Sequence, residues 1–432
     1  MMLVRLVLFA GVTALLLTGG AYAQKNPGKN PGGNTPPPVT TNPEPPPPPP
    51  ANASPELEEA YNLFDSGDAA DKAKAIDMFR ELAAAGDAEA MNKMGLIYDA
   101  GDGVTLDDAE AVAWYQKAAD AGLPVAMSNL GQMYLYGEGI GQDLEESVVW
   151  FKKSAEAGNP TGMSFLGDAY YYAKGIAQND PEALKWYQQA ADLGNPVGML
   201  MVGVMNDYGY ATKEDPKAAV EWYRKAADLG NAPAMRYLGD AFYSGRGVTK
   251  DHEEAFSWYT KAADNGNTSA LTSIGAMYAG GEGVAQDYNQ AANYYRQAAD
   301  AGEADAMYLL GTLYFNGNGL AKDQSEAVAW FQKAAESGHA GAHWELALNY
   351  LFGEGVGKDT YVAANYAYDA IRMGYQPALD EILNIEKYQI SANFKQRLQQ
   401  LLKDGGYYTG AVDGNFGASS KDAAQKAFNT GV

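Results

Sequence analysis

The nonapeptide WYQKAADAG at residues 114–122 returns as WFKKSAEAG (150–158), WYQQAADLG (186–194), WYRKAADLG (222–230), WYTKAADNG (258–266), YYRQAADAG (294–302) and WFQKAAESG (330–338). The period is 36 residues. Extended outward it meets MFRELAAAG (78–86) and the weaker YAYDAIRMG (366–374). The closing glycines, Gly86, Gly122, Gly158, Gly194, Gly230, Gly266, Gly302, Gly338 and Gly374, hold this register throughout. A fixed period of this length means a solenoid, whose units bury their apolar faces only against their neighbours.

Each unit reads as two helices. The first carries AMSNLGQMYLYG (126–137) and its counterparts ALTSIGAMYAGG (270–281) and AMYLLGTLYFNG (306–317). Apolar residues at i, i+4 and i+8, as in Ala126, Leu130 and Tyr134, place one face inward. Gly95, Gly131, Gly167, Gly203, Gly239, Gly275 and Gly311 sit inside that helix, where glycine costs about 1 kcal/mol relative to alanine. Close approach of the neighbouring helix, leaving no room for a Cβ, compensates. Glycine-rich turns follow, such as GEGI (137–140) and GRGV (245–248). The second helix starts on a capping box: Asp107/Glu110, Asp143/Glu146, Asn179/Glu182, Asp251/Glu254, Asp287/Gln290 and Asp323/Glu326.

The pattern A-x3-LG-x2-Y-x2-G-x-GV-x2-D-x3-A-x2-WY-x-KAA-x2-G resembles the Sel-1-like repeat, a short relative of the tetratricopeptide repeat. The resemblance covers residues 55–375 in about nine units. It implies an all-α fold, a right-handed α/α superhelical solenoid, and work as an adaptor or regulator with protein partners, often in the cell envelope. The chain departs from the pattern at Asn206, which replaces the tyrosine, and in the turn GYATKED (209–215), which lacks its second glycine. That unit reads as a bend or a specialised surface. Ala347 and Ala367 replace the helix glycine and the second aromatic of the last unit, as expected of a decaying terminal repeat.

Upstream, Arg5, the apolar run Leu6 to Leu17 and the small-x-small tripeptide Ala21-Tyr22-Ala23 form the pattern of an export signal cleaved after Ala23. The expected location is periplasmic, with no membrane insertion once the signal is gone. Residues 24–54 are rich in proline and read as a disordered spacer that reaches on the order of 100 Å when extended. The chain has no cysteine, which excludes both a disulfide framework and a cysteine-linked lipid anchor. Its formal net charge is −23, and −24 once Arg5 leaves with the signal. Such a chain repels nucleic acid and anionic lipid and suits a basic face, or serves solubility alone.

Residues that could carry chemistry are few. His339 and His343 stand four apart, but His339 follows a closing glycine and no third ligand is in view; they and His252 read as surface histidines. DAGDGVTLDD (99–108) does not match a calcium loop. No cysteine nucleophile, G-x-S-x-G or H-E-x-x-H occurs, so the expectation is a protein without enzymatic activity, cofactor or metal. The Trp/Tyr ladder from Tyr115 to Phe331 reads as core.

Past a bridging helix at 376–390, Ser391 caps an amphipathic helix with Phe394, Leu398, Leu401 and Leu402 on one face. The stretch 391–432 resembles the front of a three-helix peptidoglycan-binding domain of the hydrolase-associated type. Leu398, Gln399, Leu402, Gly406, Tyr407, Tyr408, Gly410, Asp413, Gly414, Phe416, Gly417, Ser420, Ala423 and Phe428 keep that family's spacing, while Asn429 stands where it has glutamine. The resemblance covers a partial module and implies peptidoglycan as a partner, with Tyr407, Tyr408, Asp413 and Phe416 as contact candidates. A second reading makes the same stretch a structural cap.

Overall fold

The computed structural model describes residues 53–431; the export signal and nearly all of the proline-rich spacer lie outside them. The described residues form 21 α-helices and no strand. They fall into two compact units, and the division in the chain lies between Lys250 and Asp251.

The first unit opens with α1 (Pro55–Asp65) and α2 (Ala69–Ala84). Three further hairpins follow at the 36-residue period: α3 and α4 (Ala88–Ala100, Asp108–Asp120), α5 and α6 (Pro124–Tyr136, Leu144–Glu156), and α7 and α8 (Pro160–Tyr172, Asp180–Asp192). A fourth, α9 and α10 (Pro196–Tyr208, Pro216–Asp228), precedes α11 (Ala232–Ser244). The second unit comprises α12 (His252–Asp264), α13 and α14 (Thr268–Gly280, Tyr288–Asp300), α15 and α16 (Ala304–Asn316, Gln324–Glu336), and α17 and α18 (Ala340–Phe352, Thr360–Arg372). It ends with α19 (Gln376–Leu383), a 3₁₀ turn at Ile385–Lys387, α20 (Ala392–Asp404) and α21 (Ala418–Thr430).

The mid-helix glycines mark where the two helices of a hairpin meet. A Cβ added to Gly95, Gly131, Gly167 or Gly203 would stand 2.5–2.6 Å from a ring carbon of Tyr115, Phe151, Tyr187 or Tyr223. Gly275 faces Tyr295 and Gly311 faces Phe331 in the same way. These rings, on the second helix, are at most 2% exposed. The glycine's helix-propensity cost is therefore offset by burial of a whole aromatic side chain. The residue that precedes each ring, a tryptophan in every case except Tyr294, lies nearer the surface. Lys117, Lys153, Lys225, Lys261 and Lys333 cover Trp114, Trp150, Trp222, Trp258 and Trp330 from one turn on, at 3.6–3.9 Å from the ring centroid.

The capping box forms only in half. Asp107, Asp143, Asn179, Asp251, Asp287 and Asp323 each accept the N–H three residues on, at 2.9–3.2 Å. Their own N–H groups are already taken where the first helix lies alongside: Asp107 donates to the carbonyl of Tyr98, Asp143 to Tyr134, Asp287 to Tyr278 and Asp323 to Tyr314. The glutamate is thereby released. Glu254 and Glu326 instead accept the indole N–H of Trp258 and Trp330, at 2.8 and 2.9 Å.

In the irregular turn, Ala211 adopts φ = 59°, the left-handed conformation of the glycine it replaces, and Ala173 does the same one repeat earlier at φ = 55°. The turn is thus kept at a cost of about 1 kcal/mol rather than rebuilt.

The C-terminal stretch does not stand apart. One core cluster joins Trp344, Leu348, Ala363, Ala367, Leu379 and Ile382 of the last repeat and α19 to Phe394, Leu398, Leu402, Tyr408, Phe416 and Ala427. Helices α20 and α21 pack on α18, and α21 also packs on α19. The expected bridging helix is shorter than 376–390, and its start at Gln376 falls on the period. Ala378 and Ile382 occupy the columns of Ala126 and Leu130 and are buried. Leu383 falls in the glycine column, and the helix stops there. It is the first helix of a repeat whose second helix is replaced by the tail.

Candidate interaction surface

In a solenoid the repeating columns build the core, so residues that differ between repeats are left to build function. Among the non-repeating columns of the first helices, the fifth, ninth and twelfth share a face. In the first unit they read Asn92, Leu96 and Asp99; Ser128, Gln132 and Leu135; Ser164, Asp168 and Tyr171; Leu200, Val204 and Asp207; Arg236, Asp240 and Tyr243. None of these residues is fully exposed. Asn92 also meets the neighbouring first helix, accepting from Asn129 of the sixth column of α5 at 3.0 Å.

The stripe becomes aromatic and acidic on α7 and α9. The next column places tyrosines at Tyr136, Tyr172 and Tyr208, three successive repeats at the 36-residue spacing. Tyr171 meets Tyr172 edge-on at 4.8 Å and Tyr210 at 5.7 Å, and Tyr210 lies 6.0 Å from Tyr208. From α11, Tyr237 stacks on Tyr223 at 5.1 Å, beneath the guanidinium of Arg236. Tyr210 belongs to the turn without its second glycine, so the irregular repeat supplies part of this aromatic surface.

Carboxylates sit among the rings. Asp207 is 8% exposed; Arg246 donates to its carboxylate at 2.6 Å and to its backbone carbonyl, and pairs with Glu214 at 2.9 Å. Burial raises the Asp207 pKa, while the Arg246 guanidinium and the Tyr223 hydroxyl oppose the rise. Arg236 pairs with Asp240 at 2.6 Å. Asp99 and Asp168 have no such cation. Each accepts a tyrosine hydroxyl of its own hairpin, from Tyr115 at 3.0 Å and from Tyr187 at 2.6 Å. Burial pushes the Asp168 carboxyl up to about 6, against the Tyr187 hydrogen bond and the charge of Lys174.

In the second unit the same columns read Thr272, Ala276 and Ala279; Tyr308, Thr312 and Phe315; Trp344, Leu348 and Leu351. They carry no charge.

Of the residues singled out in the sequence, His339 is the N-cap of α17, accepting the N–H of Ala342 at 3.0 Å and stacking on Tyr308 at 4.4 Å. Burial lowers its pKa, and Asp305 at 3.5 Å works against that. His339 is thus a half-buried cap rather than a surface histidine. His343 lies one turn on beside Tyr366, and His252 opens α12. Among the described residues no group of three or more histidines or carboxylates is arranged to hold a metal ion. No helix among them is long and apolar enough to cross a membrane.

The four contact candidates of the tail separate. Phe416 is 0% exposed and Tyr408 7%, so both are core and have no face to offer a ligand. Tyr407 is half-buried and Asp413 exposed. The loop that carries them is organised by Gln399, which is fully buried. Its carbonyl accepts the N–H groups of Asp413 and Gly414 at 3.1 and 2.8 Å, and its amide donates to the Asn415 carbonyl and the Ser420 hydroxyl, both at 3.0 Å. Hydrogen bonds from Asn415 and Gln399 hold the Asp413 carboxyl below its usual range.

The Sel1 repeat family model matches eight successive windows without a gap, from 88–123 to 340–375. The chain belongs to the Sel1 repeat family. The hairpin α1–α2 lies outside the matched windows, with a turn of three residues where α5–α6 has seven. Two solved structures are similar along most of their own length. One is c5321, a protective antigen present in uropathogenic Escherichia coli strains that displays an SLR fold; it is 28% identical with a TM-score of 0.51, over 86% of this chain and 90% of that one. The other is a Sel1 repeat protein from Oxalobacter formigenes, 37% identical with a TM-score of 0.53, over 57% of this chain and 99% of that one. No curated protein matches the chain. Sel1 repeats generally act as scaffolds for protein–protein interaction, so protein partners are implied for this chain too.

Sequence reasoning on the repeating columns passed over the tyrosine stripe. Its signal was present: Tyr136, Tyr172 and Tyr208 keep the period in three repeats, while Ala100, Ser244 and Gly280 hold that column in others.

Proposed function

We propose that the chain is an exported, non-enzymatic Sel1 scaffold of the bacterial envelope that docks a partner protein on the stripe of its first unit. The observation that carries this reading is the gathering of Asp168, Tyr172, Asp207 and Tyr208 in columns that the fold leaves free to vary. Envelope location is supported by Arg5, the run Leu6 to Leu17 and Ala21-Tyr22-Ala23. A preformed surface of helices orders few side chains on binding, which favours affinity. The test is crosslinking in living cells from a photoreactive residue at position 172, with position 361 on α18 as the control. Recovery of the same envelope protein from 172 and not from 361 supports the reading. Equal yields from both positions, or cytoplasmic partners alone, overturn it.

A second reading keeps the tail as a wall-binding element, with peptidoglycan as its ligand. It is favoured by the loop that Gln399 fixes, which leaves Asp413 and part of Tyr407 open. Sedimentation with purified sacculi, comparing the intact chain with Asp413→Ala and Tyr407→Ala, decides it. The intact chain sediments and the variants do so several-fold less; if the intact chain stays in the supernatant, wall binding is wrong.

A further inference from the structure

Two carboxylates of the stripe, Asp99 and Asp168, have a tyrosine hydroxyl rather than a cation as their direct partner, and Asp168 is the one followed on its own helix by two tyrosines, Tyr171 and Tyr172. Column nine of the first unit is held by Leu96, Gln132, Val204 and Asp240 in the other repeats, so neither charge nor size is required there for a hairpin to form. Asp168 nevertheless carries an acid into a half-buried position whose direct partner is the Tyr187 hydroxyl, and no lysine or arginine among the described residues forms an ion pair with it. Its neighbours in the stripe differ. Asp207 holds Arg246 and Asp240 holds Arg236, each at 2.6 Å. Those two acids are ion-paired within the chain, and Asp168 is only hydrogen-bonded.

The surroundings of Asp168 fit a cation. Tyr171 and Tyr172 lie one turn along the same helix face, three and four residues on. Tyr136, from the preceding repeat, is 44% exposed and close enough to feel the carboxylate: burial first, then the charge of Asp168, raises its hydroxyl pKa. Burial and Asp168 act on Tyr172 in the same order. A carboxylate between aromatic rings is a setting in which an ammonium or guanidinium gains both charge pairing and ring-face attraction. Lys174 approaches the same group, with its ammonium 5.6 Å from the centroid of Tyr172 and its charge felt by Asp168, but it forms no ion pair with that carboxylate. The chain's formal net charge of −23 draws basic partners toward this surface.

Building on the docking surface above, we propose that Asp168, Tyr172 and Tyr136 form a cation subsite that receives a lysine or arginine side chain from an extended segment of the partner protein. The incoming charge supplies the ion pair that Asp207 and Asp240 obtain internally. Burial disfavours the ionised form of Asp168, and the Tyr187 hydrogen bond and the charge of Lys174 offset that only in part; an incoming cation would offset the rest. The groups facing it from the packed elements are Tyr136 of α5, Tyr172 of α7, Tyr187 of α8 and Lys174 of the turn. The three phenols are all held above their ordinary range, so Asp168 is the member of the set that changes charge near pH 6.

The test is fluorescence anisotropy of a fluorescein-labelled hexalysine peptide with the full chain from residue 24, at low ionic strength. The intact chain binds, and affinity falls as the pH is lowered through about 6. Asp168→Asn weakens binding at least tenfold at pH 7.5, and Asp168→Glu recovers part of the loss. Asp120→Asn, which removes one acid from α4 outside the stripe, changes affinity less than twofold. Thermal melting checks that Asp168→Asn still folds. If Asp168→Asn binds hexalysine as tightly as the intact chain, or the intact chain does not bind it, the subsite is wrong while the scaffold reading stands. If the subsite behaves as expected and crosslinking from position 172 yields no envelope protein, the scaffold reading fails and the subsite stands.

Discussion

Hairpin α5–α6 and hairpin α17–α18 solve one packing problem in opposite ways. In the first, Gly131 lacks a side chain so that the Phe151 ring can lie against its helix. In the second, the glycine column holds Ala347 and the ring column Ala367, both at most 2% exposed. The two alanines are one change: without the ring, a Cβ fits. Volume missing from the joint is supplied by Trp344 and Leu348 on α17, and by Phe394 and Phe416 from the tail in the same cluster. The last repeat is therefore not a decayed copy but one rebuilt to receive α20 and α21 in place of a further hairpin.

The comparison breaks most directly at the ring. Phe151→Ala is expected to cost about 3–5 kcal/mol, the usual penalty for emptying a buried aromatic site. Gly131→Ala forces a methyl to within 2.6 Å of that ring and is expected to cost about 1–3 kcal/mol by overpacking. The double variant should cost at least ~1 kcal/mol less than the sum, because the alanine Cβ occupies space the ring has left. Urea unfolding of the four proteins measures the cycle. Strict additivity would mean that glycine and ring are independent, and the account of Ala347 and Ala367 would go with it.

At the other end, Gln399 is the residue on which the tail's loop depends. Gln399→Leu keeps most of the volume but strands the N–H groups of Asp413 and Gly414 and the Ser420 hydroxyl. Unsatisfied buried groups of this kind cost about 2–4 kcal/mol together. Because solenoid stability is largely a matter of nearest neighbours, the loss should stay local. Hydrogen exchange is expected to quicken in α21, α20 and α18 and to be unchanged in α3 to α7. Loss of protection in the first unit as well would show that the tail stabilises more than the end of the chain.

What could be read from the sequence follows from how local each feature is. Glycine spacing, helix caps and the alternation of first and second helices all act within a few residues, and a period of 36 repeats them until the hairpins are legible. The destination of the Asp107 N–H was not legible, because the Tyr98 carbonyl that takes it is brought there by folding of the turn. The burial of Phe416 was legible, since the glycines around it and Phe428 already suggested a small core; that this core would be continuous with Ala363 and Ala367 of the last repeat was not. The start of α19 on the period could have been seen, but Leu383 stands where the pattern has glycine and the helix ends before the tyrosine and turn columns. At the stripe, the strongly repeating columns drew attention away from the varying ones, and the burial that raises the Asp168 pKa exists only once α7 and α8 have packed.

The smallest predicted effect concerns that aspartate, and it has the sign opposite to the other two. A carboxyl whose folded pKa lies above its unfolded value binds a proton more tightly in the native state, so it reduces stability as pH rises from the ordinary aspartate range through about 6. The full shift would correspond to about 3 kcal/mol, but the side chain is only half-buried and solvent screens it, so about 1 kcal/mol is expected. Asp168→Asn keeps an acceptor for the Tyr187 hydroxyl and removes the charge. It should therefore unfold at higher urea than the intact chain at pH 8 and match it below pH 4. A stabilised variant at pH 8 that no longer binds hexalysine would mean that Asp168 is ionised at the expense of the fold, as expected of a residue placed for binding. If the variant is less stable at pH 8, the charge is serving the hairpin, and the surface gains no functional meaning from it.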